Sequence, residues 1–264
     1  MKKNSRRKFI LGALGTAIVT GLIAWFQKNR ILRWAVLRHR NSNLKLTAAP
    51  LEGEDICVLT SQQQEGPFFV TAPRRRNIKE DRTGKALNLK FQVVRMPDCM
   101  PIEGAVVEIW HCDAEGIYSG YPEEIAHDLW KTLVLTAPSG GGPVKPANEK
   151  RFLRGAQVTD ASGHVEFETI FPGWYEPRSP HIHFKIIADE RDYLTSVFYF
   201  ERDFCDRLYL QHPPYNKHGE SPFNPENDVG IKDHQEALGL LLKPVWSDDA
   251  PLKASARIGI QRKV

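Results

Sequence analysis

From about residue 85 to residue 200 the chain alternates apolar and polar side chains over short stretches. No segment there sustains a helical apolar period for ten residues. LNLKFQV, which ends at Val93, sends Leu87, Leu89, Phe91 and Val93 one way and Asn88, Lys90 and Gln92 the other. Successive side chains on a strand face opposite sides, so this reads as a half-buried strand. AVVEIWH (105–111), HVEFETI (164–170), HIHFKIIA (181–188) and LTSVFYF (194–200) follow, the last two joined by the polar turn DERD. A last pair is expected near 236–246 and 253–260, and EEIAHDLW (123–130) suits one short helix. Many short strands between Gly and Pro turns predict a β-sandwich or barrel. APSGGGPVKPANEK (137–150) reads as a flexible surface loop. HPPYNKHGESPFNPEND (212–228) is long and irregular, so it must cover something or be mobile.

The N-terminus differs in character. Residues 1–47 hold 11 Lys or Arg and no Asp or Glu. Removing those from the chain's 36 basic residues leaves 25 against 32 acidic, a net of −7. A mildly acidic body argues against nucleic acid as a partner. NSRRKF precedes ILGALGTAIVTGLIAWF, an apolar run covering residues 10–26. A basic head before a short apolar stretch reads as an export signal, and Arg6-Arg7 resembles the twin-arginine type. That route carries folded proteins, so a metal can be in place before export. The run is also long enough, at the lower limit, to anchor in a bilayer. LTAAP (46–50) offers a late cleavage point, and the basic QKNRILRWAVLRHRN between them suits an anionic membrane surface. The expectation is an exported protein, periplasmic or at the cell surface, either cleaved or tethered through residues 10–26. Residues 1–47 form this signal or anchor with its basic linker, and 48–264 a single domain.

Four cysteines, Cys57, Cys99, Cys112 and Cys205, suit disulfides or buried thiols in an oxidising compartment. Three pairings are open, and no C-x-x-C pair points to thiolate metal ligation.

The chemistry concentrates in PGWYEPRSPHIHF (172–184). His181 and His183, two apart on a strand, share one face, while Ile182, Phe184 and Ile186 take the other. Imidazoles so placed can occupy adjacent positions on one metal, and imidazole suits Zn, Cu, Fe and Ni. Tyr175 and Arg178 lie just before them. A phenol is a poor ligand while protonated, but a trivalent cation can strip that proton. Two phenolates would hold iron ferric. VEIWHCDAEGIYSGY (107–121) supplies the second, from Tyr118 or Tyr121.

Four ordered blocks carry a family likeness: QEGPFF (64–69), GAVVEIWHCDAEGIYSGY (104–121), FLRGAQVTDASGHVEFETIFPGWY (152–175) and RSPHIHFKI (178–186). Together they resemble the intradiol ring-cleavage dioxygenases, the catechol and protocatechuate dioxygenases, and most closely their exported single-chain relatives. The resemblance implies a β-sandwich holding one mononuclear non-haem Fe(III) on Tyr118, Tyr175, His181 and His183. It implies that Tyr175 leaves the metal and takes a catechol proton, and that Arg178 stabilises charge developing on the ring. Pro67 and Phe68 would wall an aromatic pocket. Tyr121 has no counterpart and is read as structural, and His111, His127, His164, His212, His218 and His234, which show no ligand spacing, are read as structural or solvated. One departure stands out. The relatives carry a glutamine near the substrate in the next strand, where this chain has Val197, which cannot hydrogen-bond a substrate.

The expected fold is all-β, a β-sandwich core with long irregular loops, preceded by an N-terminal signal or anchor helix. The expected activity cleaves a catechol-type ring between its hydroxyl-bearing carbons with O2, giving a cis,cis-muconate-type diacid. Two other readings remain. One is a non-catalytic β-sandwich module binding an aromatic or carbohydrate ligand. The other is a zinc hydrolase built on His181 and His183, for which no third carboxylate ligand stands at metalloprotease spacing.

Overall fold

The computed structural model describes residues 27–38, 46–52, 57–231 and 239–261. The apolar run 10–26, read as a signal or anchor, lies outside these, as do His234 and the start of the strand expected near 236–246. Residues 27–38 are helical (α1). No helix among the described residues is long and apolar enough to cross a membrane.

Two sheets follow. β1 (Ala86–Arg95) pairs antiparallel with β2 (Met100–Pro101) and β5 (His164–Ile170), and in parallel with β8 (Leu252–Ile260). The second sheet runs in the order β4 (Arg154–Val158), β3 (Val106–Trp110), β6 (His181–Ala188), β7 (Arg191–Tyr199), antiparallel throughout. Between the sheets the alternating apolar residues meet: Phe91 of β1 stacks on Phe198 of β7 at 5.2 Å, and Phe184 of β6 on Phe198 at 4.5 Å. Each such fully buried ring contributes on the order of 2–3 kcal/mol. The all-β expectation therefore holds at the level of two packed sheets.

Besides β2 and β4, which the sequence reading did not include, three stretches depart from it. The short helix expected over 123–130 is a 3-10 turn (Glu123–Ile125) followed by α2 (Leu129–Thr136). Asp128 starts α2 by accepting the Lys131 amide in an N-cap, a signal that places the helix later than its apolar residues suggest. α3 (Arg202–Gln211) was not expected, because it is short and strongly polar on its outer face. It buries Cys205, Leu208 and Tyr209. Residues 239–246 make only isolated bridges, Leu241 to Ala48 and Tyr199 and Val245 to Lys253, in place of a continuous strand.

Cys57 and Cys99 form a disulfide with Cα atoms 5.9 Å apart, and Cys112 and Cys205 are buried free thiols. His111 couples the sheets. Its Nδ1–H donates to the Cys112 carbonyl at 2.7 Å, and Nε2 faces the Thr169 hydroxyl of β5 at 2.7 Å. Burial pushes its pKa down to about 4. The unfolded chain, near 6.5, takes the proton first, so this group's stabilisation is complete above about pH 6.5 and drains away toward pH 4. The loss should reach about 3 kcal/mol. Urea unfolding at pH 7 and pH 4.5 checks it: His111→Gln should flatten the pH dependence, and an unchanged slope would assign the effect elsewhere.

Candidate metal centre

The sheet register builds the floor of the site. Residues directly opposite on paired strands share a face. Arg154, Trp110, His183 and Val197 oppose one another across β4, β3, β6 and β7, forming one row on the outer face. His181 opposes Tyr199 in the next row. The core thus takes Ile182 and Phe184, and both histidines turn outward but stay buried beneath the loops.

Two turns supply the tyrosines. Asp113, three residues past the end of β3, accepts the Glu115 and Ile117 amides at 3.0 and 2.9 Å and so fixes the turn that presents Tyr118. Gly116 there has φ +83°, and a Cβ on it would lie 2.2 Å from the Trp174 carbonyl oxygen. A Cβ on Gly173 would sit 2.5 Å from the Ala114 carbonyl oxygen. The two turns therefore pack backbone to backbone, a contact only glycine permits. The result sets the Tyr118 and Tyr175 rings edge to face at 5.3 Å.

The donor atoms converge. Nε2 of His181 lies 2.9 Å from Nε2 of His183, and the Tyr118 hydroxyl lies 3.4 Å from Nε2 of His181. The Tyr175 ring stands 5.7 Å from the His181 ring. Nδ1 of His181 donates to the Ser179 carbonyl at 2.6 Å, which fixes the tautomer and leaves Nε2 a free lone pair. His183 is held by stacking flat on Trp110, 4.8 Å away and 3° from parallel, while its Nδ1 is buried without a partner.

The electrostatics suit a cation. Burial lowers the pKa of both histidines well below the usual value, with Arg178 adding to the effect, so both imidazoles are neutral ligands. Burial raises the Tyr118 and Tyr175 hydroxyls, opposed by the guanidinium charges nearby and, at Tyr175, by its hydrogen bond with Tyr118. Four buried donors that have chiefly one another as partners fit a highly charged metal ion, which would draw off the phenolic protons. Among the described residues no group of three or more His, Cys, Asp or Glu side chains is placed to hold a metal, and the tyrosines are the further oxygen donors beside this histidine pair.

The remaining expected residues fall around these four. Phe68 is buried against Tyr118, Tyr121 and Tyr175 at 4.8, 4.9 and 5.6 Å, and half-buried Pro67 accepts the Val144 amide through its carbonyl. Tyr121 spends its hydroxyl on the Val144 carbonyl at 2.7 Å, outside the donor group. Val197 lies beside His183 on the outer face and packs with Tyr199, Ile231 and Leu240.

Arg178 is buried and is not free-standing. Its Nε donates to both Asp228 oxygens at 2.8 and 3.1 Å, and Nη2 to the Tyr199 hydroxyl at 3.1 Å. Burial disfavours its charge, but Asp228 outweighs that and raises its pKa. The same carboxylate accepts the Ser179 and Gly230 amides at 2.6 Å each and the Tyr199 hydroxyl at 3.1 Å. It thereby ties the segment 212–231 to the turn that leads into β6.

Sequence reasoning missed Asp228, Tyr199, Trp110 and Arg154. Trp110 and Tyr199 carried a usable signal, since each lies in a strand that the sequence shows, whereas Arg154 lies in β4, which the sequence reading did not include. Asp228 carried none. Arg154, fully buried, donates from Nε to the Ser119 hydroxyl at 2.7 Å and from Nη2 to its carbonyl at 3.0 Å, bracing the residue next to Tyr118.

No family model matches the chain. A catechol 1,2-dioxygenase from Acinetobacter lwoffii is 28% identical over 185 residues, covering 61% of this chain and 52% of that one. The chain thus spans about half the length of the curated relatives it matches. The dioxygenase domain of a carbohydrate-binding fusion from Streptomyces sp. SirexAA-E superposes with TM-score 0.52 at 22% identity, over 78% of this chain and all of that one, a likeness of fold. An intradiol ring-cleavage dioxygenase from Tetranychus urticae superposes with TM-score 0.65 at 31% identity, over 78% of this chain and 95% of that one. Likeness at that level across nearly the whole of the Tetranychus protein makes this chain a member of the intradiol ring-cleavage dioxygenases.

Proposed function

We propose that this protein opens a catechol-type ring between its two hydroxyl-bearing carbons, using O2 and one Fe(III) held by Tyr118, Tyr175, His181 and His183. The observation that carries the reading is the buried convergence of two phenols with two neutral Nε2 atoms in a member of this family. Bound there, the ferric ion would supply the Lewis acidity and redox partnership that let a singlet ring react with triplet O2. Everything else falls to the chain. Tyr175, whose burial favours the protonated phenol, would take up a catechol proton at Oη. His181, pinned through Nδ1, and His183, stacked on Trp110, keep their Nε2 atoms aimed. Arg178, steadied by Asp228, places positive charge beside the tyrosine pair.

The balance closes without an outside reductant. The ring carbon–carbon bond and the O–O bond break, each former hydroxyl carbon becomes a carboxyl carbon, and both oxygen atoms end in the diacid. Val197 lies beside His183 and packs with Ile231 and Leu240, so a substrate lying against it would meet an apolar surface. Catechols with apolar ring substituents should therefore be cleaved with higher kcat/KM than carboxylated ones. O2 uptake across such a panel, with product identification, tests both points; binding of catechols without O2 uptake would reduce the protein to a binding module.

We also propose export to the periplasm or cell surface, supported by the basic head and apolar run of the N-terminus and by the Cys57–Cys99 disulfide.

A further inference from the structure

Helix α1 follows the apolar run 10–26 directly, and its two faces do different things. The inner face docks on the catalytic body. Arg33 forms an ion pair with Glu176, whose side chain is fully buried and is the residue after Tyr175. Asn29 accepts the Trp130 amide at 3.0 Å, satisfying an open N–H in the first turn of α2. These contacts lie four residues apart, one helical turn, so they share a face.

The outer face is unusual for a water-facing helix. Ile31 and Trp34 are 54% and 58% exposed, and Arg30 and Arg38 flank them. The Arg38 guanidinium sits 4.8 Å from the Trp34 ring. Positions 30, 34 and 38 fall on one stripe at helical spacing. Trp, an aliphatic residue and arginines on one stripe match the chemistry of a membrane interface, where the indole lies at headgroup depth and the cations meet anionic lipid. Trp130 and Val134 of the neighbouring α2 are also exposed.

A leader removed near residue 47 would take Arg33 with it and leave the Glu176 carboxylate, next to a tyrosine of the metal centre, without its cation and with the Leu129 amide as its remaining partner. We propose that α1 is retained in the mature protein as a membrane-proximal strut. Its inner face is clamped through Arg33–Glu176 and Asn29–Trp130, and its outer face seats the enzyme on an anionic bilayer. The proposal rests on the export reading but not on the ring-cleavage reading, and none of its readouts uses activity.

Full-length protein is expressed in a bacterium, fractionated and sequenced from its N-terminus. Residues 27–47 should be present on membrane-bound, exported protein. Soluble exported protein beginning near residue 48 would overturn the proposal and leave export intact; unexported soluble protein would overturn both. The retained protein is then reconstituted in vesicles carrying brominated acyl chains. Tryptophan quenching should exceed that of Trp34→Phe, and should fall when phosphatidylglycerol is replaced by phosphatidylcholine or when Arg30 and Arg38 become Gln. Equal quenching in wild type and Trp34→Phe would show that this face does not touch lipid. Arg33→Gln and Glu176→Gln should each speed tryptic cleavage within 27–38 at least tenfold; two unchanged rates would overturn the clamp.

Discussion

His183→Ala is expected to emerge from dialysis without iron and to show no measurable O2 uptake with catechol. Its Nε2 lies 2.9 Å from that of His181, so the substitution removes one of two neutral nitrogen donors and leaves two phenols and one imidazole. Losing even an outer partner of a metal ligand costs roughly 10–100-fold in affinity or activity, and losing the ligand itself should exceed that. The variant also opens a gap against Trp110, whose face the imidazole covers. Some loss of stability is therefore expected, so a control is needed. His111→Gln supplies it: His111 is as deeply buried but bonds only to Cys112 and Thr169, and it should keep its iron while losing stability. Iron content by elemental analysis separates the two, and equal retention in both would remove His183 from the ligand set.

The second large effect is expected at Asp228. Its carboxylate receives Arg178, Tyr199 and the Ser179 and Gly230 amides, all of them buried or nearly so. Asp228→Ala strands a buried guanidinium and two amides together. Breaking such a pair from one side costs about 3–5 kcal/mol, far more than the pair contributes when both members are present. Urea unfolding should report a loss of that size. Asp228→Asn keeps an acceptor for the amides but drops the charge, so it should retain more stability than Asp228→Ala. With Arg178 less firmly held, its kcat should still fall. A loss below about 1 kcal/mol in Asp228→Ala would mean that the arginine finds water or another partner at little cost.

What the sequence disclosed follows physical lines. Alternation over HVEFETI and HIHFKIIA reproduces β5 and β6 residue for residue, because a two-sided sheet makes the period-2 signal strong. The same alternation set His181 and His183 on one face. It also placed Trp110, Val197 and Tyr199 there, although register was needed to see them as neighbours of the histidines. α3 stayed hidden because ten residues with three buried ones give little period to detect. Asp228 and Glu176 were illegible for a different reason. Both sit in irregular backbone, and each is defined by a partner far away in sequence, Arg178 and Arg33. The contact between the Tyr118 and Tyr175 turns likewise needed coordinates, although Gly116 and Gly173 were already visible in the sequence.

The most direct test of the account is the visible spectrum of the purified, iron-loaded protein, read before and after anaerobic addition of catechol. Phenolate-to-Fe(III) charge transfer from Tyr118 and Tyr175 should make it red-brown, and catechol should shift the band as Tyr175 gives up its place. Tyr175→Phe should move the starting band, and Tyr121→Phe should leave it alone. A colourless protein holding zinc, or a band indifferent to both Tyr118→Phe and Tyr175→Phe, would contradict it.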